Sequence, residues 1–103
     1  MENREYCKRI ADELEAVYNG ESGENYNLWD WIAENVLEIE YRIDGKREYK
    51  GVKLWVTLGG PNVWIDTYNS EVCLAWGMDR AEYLLDIDVS AALDEMYAEF
   101  WEE

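Results

Sequence analysis

A change in hydrophobic period after residue 36 most constrains the fold of this chain. Over residues 37–43 every odd position is apolar and every even position is charged, the period of two that a half-buried β-strand requires. Asp44-Gly45 is typical of a tight turn, and the alternation resumes from Val52 to Leu58. This part of the chain therefore predicts two antiparallel strands joined by a short turn.

Further strands are predicted downstream of a glycine- and proline-containing break. Gly59-Gly60-Pro61-Asn62 ends the second strand, because a proline cannot donate to a strand ladder and glycine tolerates positive φ. Residues 63–67 and 71–76 alternate again around a Tyr68-Asn69-Ser70 turn and should pair as a hairpin. We expect a meander of four antiparallel strands, or five if the short segment 81–85 joins the sheet.

Helical patterns flank these strands at both ends of the chain. Residues 2–19 carry apolar side chains at every third or fourth position, and Asn27 can cap a short second helix over Leu28, Trp31 and Ile32. Asp88 or Ser90 would cap a last helix. Its apolar stripe consists of Ala92, Leu93, Met96, Tyr97 and Phe100. We therefore predict one α+β domain over residues 1–103, with the N-terminal and C-terminal helices covering one face of the antiparallel sheet.

The chain carries a strong negative charge that is unevenly distributed. Its net charge is −15, from 24 acids against 9 bases, so direct binding to nucleic acid or to an anionic membrane is disfavoured. Residues 1–40 contain 11 acids and 3 bases, and residues 64–103 contain 11 acids and 1 base. Residues 41–63 reverse the balance, with 2 acids and 5 bases. A partner with a basic groove is favoured, since opposite charge speeds encounter.

No set of residues predicts catalysis or a bound cofactor. Histidine is absent, which removes the commonest general base and metal ligand. Gly59-Gly60 is followed by proline rather than by the basic residue and helix of a phosphate-binding loop. Asp86-Ile87-Asp88 lacks the ligand spacing of a calcium loop, and Cys7 and Cys73 fit small core thiols. We expect no enzyme activity, no metal and no cofactor.

The beginning of the sequence and its apolar runs indicate a cytoplasmic protein. Met1 is followed by polar residues rather than by the apolar stretch of a secretory signal. No apolar run approaches the ~20 residues needed to cross a bilayer. A cytoplasmic protein without membrane contact is therefore expected.

Two tryptophans are predicted on the sheet face opposite the core. If the alternation holds, Trp55 and Trp64 both point away from the side that bears Leu54 and Ile65. They could form a second layer of packing, against a helix or a second copy in a homodimer, or an aromatic contact surface for a partner. The latter supports one functional hypothesis, a structural or regulatory interaction module.

The outer faces of the terminal helices form the other candidate surface. Clustered like charges cost folding stability, so their density asks for an explanation, which is solubility, adaptation to a salty cytoplasm, or binding to a basic partner. The acids concerned are Glu5, Asp12, Glu13 and Glu15 of the first helix and Asp94, Glu95, Glu99, Glu102 and Glu103 of the last.

In size, charge, acidic end helices and the Gly59-Gly60-Pro61-Asn62-Val63-Trp64 turn into a strand, the chain resembles small acidic inhibitors encoded by phages and mobile elements. These are the anti-CRISPR and anti-restriction proteins of the DNA-mimic kind. The resemblance implies a non-enzymatic blocker that binds the basic nucleic-acid groove of a bacterial defence complex, such as a CRISPR effector.

Overall fold

A computed structural model describes residues 2–102, of Glu2 the backbone alone, and contains three helices and five strands. In chain order these are α1 (Glu2–Tyr18), α2 (Leu28–Asn35), β1 (Glu38–Ile43), β2 (Tyr49–Thr57), β3 (Asn62–Asp66), β4 (Glu71–Trp76), β5 (Asp79–Leu84) and α3 (Ile87–Glu102). The predicted α+β class is confirmed, and the fifth strand forms. It begins at Asp79, two residues before the predicted start.

All five strands pair antiparallel in the order β1-β2-β3-β4-β5. Leu54 lies opposite Ile65, and Ile65 lies opposite Val72, so these apolar side chains share one face, where all three are buried. The pairing of β1 with β2 shifts where Arg42 faces Gly51 but Ile43 faces Tyr49. The extra residue of this β-bulge belongs to β2, and β1 stays regular.

The helices form a second layer over that apolar face. α1 packs on β4 and β5, α3 packs on β2, and α2 packs beside α1. The centre of the core is fully apolar, with Leu14 of α1 and Leu93 of α3 completely buried against Leu54 and Ile65 of the sheet. The predicted arrangement of helices over one sheet face is confirmed. Within the described residues, no helix combines the length and the apolar character needed to span a bilayer.

Side-chain hydrogen bonds cap the first turns of α2 and α3. At α2 the predicted cap is confirmed, because the Asn27 side chain accepts from the Asp30 N–H while the Asp30 side chain accepts from the Asn27 N–H. The predicted cap of α3 at Asp88 or Ser90 is wrong. Asp86 caps it instead, accepting from the N–H groups of Asp88 at 2.9 Å and Val89 at 3.2 Å.

Candidate partner-binding surface

The outward face of α3 carries a row of carboxylates. Leu93 and Tyr97 anchor the inward face, and at about 100° per residue the acids opposite them fall within an arc of about 60°. All of them are exposed. We call this row the outer α3 stripe, and it consists of Asp88, Glu95, Glu99 and Glu102. No lysine or arginine occurs between residues 81 and 103, so no base interrupts it.

The basic hairpin around residues 42–53 does not pair with the outer α3 stripe. Within residues 2–102 the ion pairs join Lys8 to Asp12 at 2.7 Å and Lys50 to Asp44 at 3.7 Å. The second pair is internal to the hairpin, where the backbone N–H groups of Glu48 and Lys46, together with Lys50, lower the pKa of Asp44. Arg42 stacks on the Tyr68 ring at 3.8 Å. Among the described residues, no ion pair therefore neutralises the stripe.

The outward face of α1 is mixed rather than acidic. Glu5, Asp12 and Glu13 are exposed, as predicted, but Lys8 and Arg9 lie among them. The hydrogen bond from Lys8 to the Asp12 carboxylate raises the pKa of Lys8 and partly neutralises Asp12. Residues 2–18 hold 5 acids and 3 bases, so little net charge remains on α1.

Two acids predicted on the outer faces have contacts within the fold. Glu15 is half-buried in a depression between α1 and the end of β5, which Arg4 and Tyr83 also line. Glu13, although exposed, accepts from the Trp31 indole N–H at 3.4 Å. Glu13 therefore takes part in the packing of α1 against α2 rather than serving only as a free surface charge.

The prediction that Asp94 faces outward is wrong. Its carboxylate accepts from the Thr67 hydroxyl at 2.6 Å and from the Tyr49 hydroxyl at 2.8 Å, and it is half-buried. The reason is its helical phase, since a position three residues before the buried Tyr97 lies at the boundary of the core. Burial and the nearby Asp94 carboxylate raise the pKa of Tyr49. Glu103, the last predicted acid, lies outside the described residues.

Trp55 and Trp64 lie opposite each other in the sheet and point away from the helices, as predicted. Their rings are packed together, with centroids 4.8 Å apart, and the Lys53 ammonium group lies 5.5 Å from the centre of the Trp64 ring. Trp64 is 9% exposed. The two rings therefore cover each other and offer less open aromatic surface than the alternation alone suggests.

Two of the exposed aromatic side chains lie next to each other on α2 and α3. Trp29 is 44% exposed and Phe100 62% exposed, and the Trp29 ring packs against Tyr97 at 5.5 Å and Phe100 at 6.4 Å. Phe100 was predicted to belong to the core stripe, but it lies on the flank of α3 that faces α2. We call Trp29 and Phe100 the aromatic flank. Trp29 could have been found from sequence, because it falls off the apolar face formed by Leu28, Trp31 and Ile32.

Neither cysteine is prepared for nucleophilic chemistry. Burial raises the pKa of the Cys7 thiol to about 11, and burial followed by the Glu71 carboxylate raises that of Cys73 to about 12. A thiol protonated at neutral pH is a poor nucleophile. Among residues 2–102, no three cysteine or carboxylate side chains gather as a possible metal site.

Comparisons with known proteins found no relative of this chain. No protein-family model matches the chain, and no match was found among curated proteins or among solved structures.

Proposed function

We propose that this protein is a non-enzymatic, cytoplasmic inhibitor whose outer α3 stripe occupies the basic nucleic-acid groove of a partner complex. The partner class is a bacterial defence complex of the CRISPR or restriction kind. One observation carries the proposal. The stripe has four outward carboxylates, no base on the same helix and no ion pair to any described residue.

The charge density of the stripe sets what it can imitate. Fourteen residues separate Asp88 from Glu102, which at about 1.5 Å per residue gives about 21 Å, or one carboxylate per ~7 Å along the axis. One DNA strand carries a charge every ~3.4 Å. The stripe therefore has about half the linear charge of a single strand. It can engage part of a cationic groove and does not reproduce a duplex.

The aromatic flank can supply binding affinity that charge alone does not provide. Complementary charge mainly speeds association and sets specificity, whereas buried aromatic side chains provide much of the affinity at protein interfaces. Trp29 and Phe100 lie on the same helical layer as the stripe, and no base lies between residues 19 and 40 or between 81 and 103. Binding should combine a salt-sensitive part from the stripe with a salt-insensitive part from the flank.

The alternative, an adaptor that uses Trp55 and Trp64, has less support. Trp64 is 9% exposed, and its ring is already packed against Trp55 and lies close to Lys53. A partner would gain little apolar area there unless these rings rearranged.

A competition experiment with matched variants tests the proposal. Purified RNA-guided DNA-binding effectors and restriction complexes are loaded with fluorescent target DNA, and displacement by this protein is followed by anisotropy. The α3 variant is E95Q/E99Q/E102Q and the α1 control is E5Q/D12N/E13Q. Both have a net charge of −12, that is −15 plus 3, so the two variants are matched in net charge, and circular dichroism checks that the lost contacts of Asp12 and Glu13 leave the α1 control folded.

The wild-type protein should displace DNA from at least one complex. At about 0.5–1 kcal/mol for each lost charge pair, the α3 variant should be weakened about 10- to 100-fold and the α1 control less than about threefold. Equal weakening in both variants would show that net charge alone matters. That result, or a failure to displace DNA from any complex, would overturn the proposal.

A further inference from the structure

The outer edge of β1 is unpaired among the described residues, because β1 is the first strand of the sheet. The backbone groups that this edge exposes follow from the ladder. Asp44 N–H donates to Glu48 O at 3.1 Å, on the side of β2. Since alternate residues of an antiparallel strand point their backbone groups to opposite sides, the even residues of β1 face β2. Ile39, Tyr41 and Ile43 therefore present their N–H and C=O groups to the open edge.

A second backbone contact gives the same phase independently. Thr67 N–H donates to Val52 O at 3.1 Å, so Val52 points its backbone groups to β3. Its neighbours Gly51 and Lys53 must then point theirs to β1, where they face Arg42 and Glu40. Both observations leave the odd residues of β1 unpaired.

The sequence of this edge is complementary to itself. Ile39-Glu40-Tyr41-Arg42-Ile43 is symmetric about Tyr41 in its apolar positions and opposite in sign at its two charges. We propose that two copies of this protein join antiparallel along β1, centred on Tyr41, into one continuous ten-stranded sheet. Tyr41 then faces Tyr41 of the second copy, each Ile39 faces an Ile43, and each Glu40 faces an Arg42.

This register satisfies the backbone and the side chains together. Ile39, Tyr41 and Ile43 fall at hydrogen-bonded positions, so the exposed edge groups bond to each other. The Glu40 and Arg42 pairs fall at non-hydrogen-bonded positions, where facing Cα atoms are only ~4.5 Å apart and side chains interact most closely. If the two-fold axis moved by one residue in either direction, Glu40 would face Glu40 or Arg42 would face Arg42. Like charges directly opposite are destabilising, which disfavours both shifts.

Exposed apolar surface at the edge supports the same pairing. Ile39 and Ile43 are each 41% exposed, on the face where Tyr41 packs against Trp101 with ring centroids 5.1 Å apart. Joining two copies would bury these isoleucines against each other. The strand lacks the lysine or proline with which edge strands commonly block such pairing.

Long-range charge opposes this association. Each copy carries −15, and a two-fold axis perpendicular to the sheet places the helices of both copies on the same side. Added salt screens this repulsion and should strengthen the dimer. The proposed partner binding should respond to salt in the opposite direction, so failure of one proposal is distinguishable from failure of the other.

A charge-swap cycle tests the register by sedimentation velocity at concentrations up to about 1 mM, in low and high salt. E40R places arginine opposite Arg42, and R42E places glutamate opposite Glu40. Each single variant should weaken dimerisation about tenfold or more, while E40R/R42E restores the opposite pairs and should return to within about threefold of wild type. Circular dichroism checks that each variant is folded, which is expected because both side chains are exposed.

Hydrogen exchange provides the backbone measurement. In the wild-type dimer the amides of Ile39, Tyr41 and Ile43 should exchange at least about tenfold more slowly than in the E40R monomer. A chain that stays monomeric at every concentration and salt level would overturn the proposal. So would a dimer that the double variant does not restore, or one in which these three amides exchange as fast as in the monomer.

Discussion

The two terminal helices share a sheet face and an amphipathic pattern, yet they differ in how they are held and in what they expose. α1 is held largely through apolar side chains, and bases are interspersed among its outward acids. α3 adds polar anchors to its apolar contacts and exposes acids without any base among them. The number of acids on a helix therefore does not predict an acidic surface. Whether the surface is acidic depends on where the bases lie and on how the helix is rotated about its axis.

The polar anchors of α3 determine that rotation. Asp94 accepts from Thr67 and Tyr49, while the Ser90 hydroxyl lies 2.9 Å from that of Ser70 and donates to Thr67 O at 3.2 Å. Hydrogen bonds are directional, so these contacts resist rotation about the helix axis in a way that apolar packing does not. They hold the outer α3 stripe towards solvent.

Removing the main anchor should have the largest effect on stability. Asp94→Ala leaves the Thr67 and Tyr49 hydroxyls without their acceptor, and we expect a loss of about 2 kcal/mol in the free energy of unfolding, measured by urea denaturation. The matched control is Glu95→Ala, one residue on, exposed and expected to change stability by less than about 0.5 kcal/mol. Equal effects at the two positions would mean that Asp94 does not anchor α3.

A buried hydroxyl on α3 should have a smaller effect of opposite sign. Tyr97 is 2% exposed and its hydroxyl has no hydrogen-bond partner within the described residues. Tyr97→Phe removes this unpaired group and should stabilise the protein by about 1 kcal/mol, measured by urea denaturation. Tyr49→Phe is the control, because its hydroxyl donates to Asp94, and it should destabilise the fold. A destabilised Tyr97→Phe variant would contradict this account of α3.

The same variant should change the response to alkali. Burial, with the neighbouring Tyr41, raises the pKa of Tyr97 to about 12 from its usual 10. Between pH 10 and pH 12 the folded state therefore keeps a proton on Tyr97 that the unfolded state releases. The contribution of this protonated hydroxyl to the free energy of unfolding is complete below pH 10 and is lost as the pH rises towards 12. Tyr97→Phe should lose stability less steeply across this range. Parallel curves for the two proteins would contradict the prediction.

The ion pair on α1 should have the smallest effect. Lys8 and Asp12 are 2.7 Å apart, but their side chains are 50% and 54% exposed. Exposed pairs of this spacing contribute little, so Lys8→Ala should leave the midpoint of urea unfolding unchanged within the error of the measurement. A midpoint lowered as far as that of Asp94→Ala would show that α1 depends on its charges as α3 depends on its polar anchors.

Local patterns predicted the fold well because the sheet obeys its period of two. The alternation correctly placed Leu54 and Ile65 in the core and Trp55 beside Trp64 on the other face. It did not predict that the two rings would cover each other, since that depends on register and rotamer across two strands.

The candidate surface was predicted only in part. Glu95, Glu99 and Glu102 are exposed on α3 as expected, but the sequence prediction treated α1 as their equal although Arg4, Lys8 and Arg9 were already visible in it. The helical phase of Asp94 places it at the boundary of the core, and only the inward turn of its carboxylate could not be found from periodicity. It depends on Tyr49 and Thr67, which come from distant parts of the chain.

The most direct test of the central claim is the salt dependence of binding to a complex from which the wild-type protein displaces DNA. The affinities of wild type, the α3 variant and the α1 control are measured as ionic strength is raised. We predict a steep decrease for wild type and for the α1 control, and a clearly shallower one for E95Q/E99Q/E102Q. Three parallel lines would contradict the claim that the outward carboxylates of α3 make the contact.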